Sequence, residues 1–180
     1  MDTGHRGLST YRLVYTSLMI CAVLLGTVIF RIPIPMTQGY VHLGDTMIFL
    51  GVLLLGKKEG AAAAGLGSAL ADILGGYAFW APWTLLIKIA MAYISGFLIE
   101  KAELPKHAGS SRKRELAVLI TSMTAGGLVM CAGYLVAERI MYGSWALAAL
   151  SLPWNIGQFV TGIVVAAAAK PLCERINISR

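Results

Sequence analysis

The chain has 180 residues, of which 57% are apolar and 13% charged, against roughly 25% charged residues in an ordinary soluble domain. A hydrocarbon core of about 30 Å crossed at about 1.5 Å per residue needs about 20 residues per helix, so six spans take about 120 residues and exclude a large soluble domain, a nucleotide-binding one included. The net charge of +6 fits either a nucleic-acid partner or topology signals at helix ends, and the positions of the charges decide between them.

These numbers predict an all-α membrane protein: a compact bundle of six transmembrane helices, both termini cytoplasmic, forming a single domain over residues 1–180. The first helix is expected at 11–31. Its apolar run follows Arg6 and Arg12 as a secretory leader would, but Arg31-Ile32-Pro33-Ile34-Pro35 stands where small residues would mark cleavage, so the run reads as a retained helix. Residues 36–45 form a loop and the candidate lid.

Apolar character then runs from Thr46 to Leu74, interrupted by Lys57-Lys58-Glu59-Gly60. A single straight span would place these charges near the bilayer centre, at about 2.5 to 3.5 kcal/mol per Lys. Two helices, 45–56 and 59–74, avoid that cost, and Gly60, Ala61, Ala64, Gly65, Ser68 and Ala69 allow the second to pack closely. After the turn-rich segment 75–82, Pro82 suits the first turn of a helix over 82–100. A polar linker, 100–115, leads to a helix over 115–140. Pro153 opens the last helix, 153–170, the alternative being a helix from 145 kinked at Pro153.

In this layout, twelve of the fifteen Lys and Arg residues fall on the side of the two termini, a strong positive-inside bias. Topology accounts for the basic excess, and no basic patch interleaved with aromatics points to nucleic acid. Arg31 and Arg139 sit at outer helix ends, leaving Lys88 inside a span.

Chemical motifs are sparse. The sequence has no glycine-rich phosphate loop, so ATP energy would have to come from another chain. Cys21, Cys131 and Cys173 share no metal or redox spacing, His5 and His107 are unpaired, and no nucleophile with a base and an orienting acid can be assembled. Neither a cofactor nor a metal is expected, and an enzyme is disfavoured.

The polar residues within the spans are asymmetric. Asp72 ends the third helix on the outer side, and Lys88 lies six residues below Pro82. Tyr134 and Glu138 share a face of the fifth helix, while Trp154, Asn155 and Gln158 lie in the first turns of the sixth. With Tyr40 and His42 from the first loop, and Tyr77, Trp80 and Trp83 from the second, they are candidates for one outward-facing substrate pocket. Aromatic faces with a few hydrogen-bonding groups suit a small, flat, polar ligand. Plainer roles compete: Asp45 as a helix cap, Trp80, Trp83, Trp145 and Trp154 in an interfacial belt, Trp145 above all, Glu138 paired with Arg139 or water, Lys88 paired with Asp72 or Glu138, and Asn155 and Gln158 bonding helix to helix.

Ile32-Pro33-Ile34-Pro35, Gly39-Tyr40-Val41-His42-Leu43-Gly44-Asp45, the run from Phe49 to Gly56, Gly65-Leu66-Gly67-Ser68-Ala69-Leu70-Ala71-Asp72 and Gly75-Gly76-Tyr77 together resemble the S components of energy-coupling factor (ECF) transporters. The resemblance covers nearly the whole chain and is densest over residues 32–100. It implies a small protein of the prokaryotic cell membrane that captures a vitamin or related micronutrient from outside, while a transmembrane T component and two cytoplasmic ATPases drive import. It also implies that small residues four apart on the first helix meet the T component; Ser17 and Cys21 stand there, where alanine is usual. The ligand stays open among an aromatic heterocycle, such as hydroxymethylpyrimidine or pyridoxine, and pantothenate meeting Lys88. The competing readings are an autonomous secondary transporter coupled through Lys88, Asp72 and Glu138, and a small intramembrane enzyme.

Overall fold

In the computed structural model, residues 10–33, 40–102 and 111–176 are described. Several features named above lie outside them: His5, Arg6, the Ile34-Pro35 pair, Gly39, His107, and parts of the loop over 36–45 and of the linker over 100–115. Helix α1 runs Thr10–Ile29, and only Val23 and Thr27 along it are buried. Leu13, Leu18 and Leu25 are exposed, as expected of an outer helix whose solvent is lipid. The helix stops short of the expected end at residue 31, because the next residues form a strand.

That strand, β1 (Arg31–Pro33), pairs antiparallel with β2 (Tyr40–His42), Arg31 opposite His42 and Pro33 opposite Tyr40. The hairpin is a first departure from an all-helical reading. Runs of three residues are too short for alternation to announce a strand.

The second departure is the helix count, which among the described residues is five and not six. The segments expected at 45–56 and 59–74 belong to one element, α2 (Gly44–Leu74). Among the described residues four helices are long and apolar enough to cross a membrane, and α2, carrying Lys57, Lys58 and Glu59, is not one of them. It is not straight, however. Gly56 has φ 81° and ψ −173°, a conformation open to glycine and costly to residues with a Cβ. A Cβ built on Gly60 would lie 3.0 Å from Cα of Val52, whereas eight residues of straight helix separate by about 12 Å. The two halves therefore fold back on each other at Gly56, bringing Asp45 and Asp72 to the same end of the bundle. Lys57, at the bend, pairs with Glu100 at 2.8 Å, and Arg12 reaches Glu59 at 3.2 Å.

Helix α3 runs Ala81–Lys101 with Pro82 in its first turn, where a missing N–H is harmless. Helix α4 runs Arg112–Tyr142; the Ser111 hydroxyl accepts from Arg114 N–H at 3.3 Å, and Gly143, at φ 70°, ends it. Helix α5 runs Trp145–Ile176 with Pro153 and Pro171 inside it. Pro153 therefore does not begin the last helix. Ser144 does, its carbonyl accepting from Ala148 N–H at 3.2 Å and its hydroxyl from Leu147 N–H at 3.4 Å. Phe49, Met91, Leu119, Met123, Met130 and Phe159 fill the core where α2, α3, α4 and α5 meet.

Candidate functional site

Each helix that reaches the hairpin end brings polar residues at helical spacing. The second half of α2 contributes Ser68 and Asp72, α3 Thr84 and Lys88, and α4 Tyr134 and Glu138, each pair four residues apart and so on one face. Helix α5 contributes Ser151, Asn155 and Gln158. Most of these stripes meet in one cavity under the hairpin. It is walled by Thr27, Tyr40 and His42 on one side, by Ser68, Asp72, Trp80 and Thr84 on another, and by Tyr134, Glu138, Asn155 and Gln158 on the third.

The cavity floor is an ion pair. Lys88 and Asp45 contact each other directly, their side chains 0% and 1% exposed. Gln158 ties this pair to the hairpin: its Nε2 donates to Asp45 Oδ2 at 2.8 Å, and its Oε1 accepts from the His42 N–H at 2.9 Å. His42 Nδ1 accepts from Gly44 N–H at 2.9 Å, which places the ring proton on Nε2. Burial first, and the Lys88 charge second, push the His42 pKa down to about 3, so the imidazole is neutral.

The roof is Tyr40. Its hydroxyl donates to Asp72 Oδ1, and its ring lies 4.8 Å from Tyr77 and 4.3 Å from the Arg31 guanidinium. Arg31 donates to the Gly75 carbonyl at 3.2 Å and the Ala71 carbonyl at 3.3 Å. It thereby satisfies the end of α2, where a cation is favoured. On the far wall, Ser151 donates to Glu138 Oε2 at 2.5 Å, and Asn155 donates to Ser151 at 3.4 Å. The Trp80 ring meets that of Tyr134 edge-on at 6.1 Å.

Two oxygens in the wall are left over. Asp72 Oδ2 and Ser68 Oγ are buried with no hydrogen-bond partner within 3.5 Å among the described residues. An unmet acceptor in a dry site carries a desolvation penalty, and a bound molecule would relieve it. The space open to water centres is about 30 Å³, room for about two waters at roughly 10 to 15 Å³ each. A ring-sized molecule can enter only if the hairpin or the wall side chains shift.

Seven residues expected in a pocket line this cavity: Tyr40, His42, Trp80, Tyr134, Glu138, Asn155 and Gln158. Four do not. Tyr77 stacks behind Tyr40, Trp83 packs on the core, Trp154 is 44% exposed, and Lys88 lies in the floor, held by Asp45. That pairing replaces the one expected with Asp72 or Glu138. Asp45 is no helix cap either: Leu43 holds that position, with no side-chain cap bond. Glu138 is bonded to Ser151, while Arg139 lies 5.6 Å over Trp145. Thr27, Ser68 and Thr84 escaped the sequence reading, although Ser68 and Thr84 stand four residues before Asp72 and Lys88. Ser17 and Cys21 lie on the exposed face of α1, apart from the cavity.

The chain matches the family "ECF-type riboflavin transporter, S component" over residues 7–172. It belongs to this family. Among its relatives is the thiamine precursor transporter HmpT of Lactococcus lactis subsp. cremoris (strain MG1363), 32% identical over 83% of this chain and 80% of that one. A Pyrococcus woesei protein described as an uncharacterized protein in the gap 3′ region is 36% identical over 80% of this chain and 88% of its own. The fold is that of solved S components. One, from a bacterial ECF transporter, superposes with a TM-score of 0.66 at 19% identity, covering 93% of this chain and 95% of that one. The S component for biotin from an ECF-type ABC transporter gives 0.64 at 18% identity, covering 98% and 94%. This S component is thus a membrane protein of vitamin transport, and its family is one of transporter subunits, not of enzymes.

Proposed function

We propose that this S component captures a small aromatic heterocycle of vitamin type from the outer face of a prokaryotic cell membrane. A transmembrane T component and two cytoplasmic ATPases would then drive its import. The observation that carries this reading is the cavity under the hairpin, where aromatic faces and hydrogen-bonding groups from separate helices converge on unmet buried acceptors. A compact ring such as a thiamine precursor is the ligand favoured, that being what the relative HmpT, 32% identical, is described as transporting. The contact residues proposed are Tyr40, His42, Trp80, Tyr134, Glu138, Asn155 and Gln158, joined by Ser68, Asp72 and Thr84.

We read both termini as cytoplasmic, on the positive-inside bias of Arg12, Lys57, Lys101 and the Arg112-Lys113-Arg114 run at helix ends away from the hairpin. The exposed α1 face with Ser17 and Cys21 is the proposed T-component contact, small residues allowing close helix approach. Trp80 reports on the site. Titrating the purified protein with thiamine precursors, riboflavin, biotin, pantothenate and pyridoxine should quench its fluorescence saturably with at least one of them; saturation by none defeats the capture reading.

A further inference from the structure

The charge balance around the cavity narrows the ligand class, on the reading that this is the capture site. Among the described residues two cations and three carboxylates surround it, and Arg31 Nε is buried without a hydrogen-bond partner. Lys88 is consumed by Asp45 in the floor. Arg31 lies outside the roof, against the Tyr40 and Tyr77 rings and the Ala71 and Gly75 carbonyls. His42 is neutral, since its Nδ1 accepts a hydrogen bond. The charged groups that reach the cavity itself are therefore acidic: Asp72 and Glu138 line it, and among the described residues no Lys or Arg does.

Glu138 is engaged by Ser151 at 2.5 Å. Asp72 uses one oxygen on Tyr40 and has the Thr84 hydroxyl as a neighbour; its Oδ2, like the Ser68 hydroxyl, has no hydrogen-bond partner within 3.5 Å among the described residues, although Asp72 and Ser68 are 2% and 0% exposed. A carboxylate at this depth with an unfilled lone pair asks for a donor, and preferably a charged one. The rings of Trp80 and Tyr134 border the same space, and the faces of such rings attract cations.

We infer that the site selects a ligand that is cationic or readily protonated, a ring bearing an amino group or a charged ring nitrogen that donates to Asp72 Oδ2 and Ser68 Oγ. It rejects vitamins that carry a carboxylate. A carboxylate guest would face Asp72 and Glu138 without a free cation in the wall, and like charges at that range in a dry site repel strongly.

The test is a binding panel on the intact protein in detergent, read by Trp fluorescence and calorimetry, with an aminopyrimidine, thiamine, riboflavin, biotin and pantothenate as probes. The amino-bearing probes are expected to bind tightest, with biotin and pantothenate at least about 100-fold weaker. Asp72→Asn, which keeps shape and removes charge, should weaken the preferred amino probe by about 10- to 100-fold, the worth of a charge-assisted hydrogen bond. Ser68→Ala should weaken it less. Tightest binding of pantothenate or biotin, or an Asp72→Asn protein that is folded and binds the amino probe unchanged, overturns the inference while leaving capture intact. Binding of riboflavin alone, unchanged by Asp72→Asn, overturns it too. Failure of every probe on folded wild-type protein removes the capture reading itself.

Discussion

Lys88 and Asp45 form a fully buried ion pair across 43 positions of sequence, one from the middle of α3 and the other from the first turn of α2. Neither side chain meets solvent. The pair makes the floor of the cavity and, through Gln158, holds the backbone of His42 in the hairpin above it. A charge inside a membrane bundle is tolerated when it is neutralised and hydrogen-bonded. Here both conditions are met by residues that also shape the site.

Breaking that pair from one side should cost far more than removing it whole. Lys88→Met alone strands the Asp45 carboxylate, and Asp45→Asn alone strands the ammonium, each with an expected loss of about 3 to 5 kcal/mol. The double variant should recover a large part of this. Thermal unfolding in detergent measures it; additive losses in the double variant would show that the two residues do not act as a pair.

Gln158 joins floor and roof, so its replacement should loosen the hairpin without unfolding the bundle. With Gln158→Leu, the His42 N–H and Asp45 Oδ2 both lose a partner. Hydrogen exchange should rise in residues 40–42 by more than in the α3–α4 core, with a faster ligand off-rate. Equal exchange in both proteins would mean the link does not restrain the hairpin.

The bend in α2 depends on a backbone that only glycine adopts freely. Gly56→Ala at φ 81° and ψ −173° should destabilise the protein by about 1 to 3 kcal/mol, whereas Ala at the exposed Gly157, with nothing within 4 Å of a Cβ, meets no such strain. Comparing the two melting temperatures isolates the conformational term from the change of residue; equal values would refute it.

His42 makes stability depend on pH in a definite direction. Its pKa lies near 3 in the folded chain and at 6.5 in the reference state, so between these values the unfolded chain binds the extra proton. The contribution is fully present above pH 6.5 and is lost as pH falls toward 3, by at most about 1.4 kcal/mol per pH unit. His42→Asn can keep an acceptor for Gly44 N–H and does not titrate. Its stability should therefore fall less than that of the wild type between pH 6.5 and 4.5, and parallel curves would exclude His42 as the source.

Sequence pattern carried the membrane class, because it is a matter of composition and of apolar runs that need no partner. Pattern also carried most of the cavity walls: Tyr134 with Glu138 and Asn155 with Gln158 are spaced to share helix faces, and polar groups in apolar segments stand out against their background. Ser68 and Thr84 were missed for the converse reason, since small hydroxyl residues are ordinary in packed membrane helices. Trp83 and Trp154 have the composition of pocket residues but point elsewhere, which depends on the rotation of each helix against its neighbours.

By itself the sequence determined an apolar chain with its polar in-span residues biased to one end, and the motif set that places it among S components. Tertiary structure alone decided that Lys88 answers to Asp45, that Tyr40 and Asp72 close one wall together, and that α2 turns back at Gly56 within five helices. Periodicity specifies which residues share a face of one element. Partners 32 to 116 positions apart are chosen by how the elements pack, and local pattern holds no record of that choice.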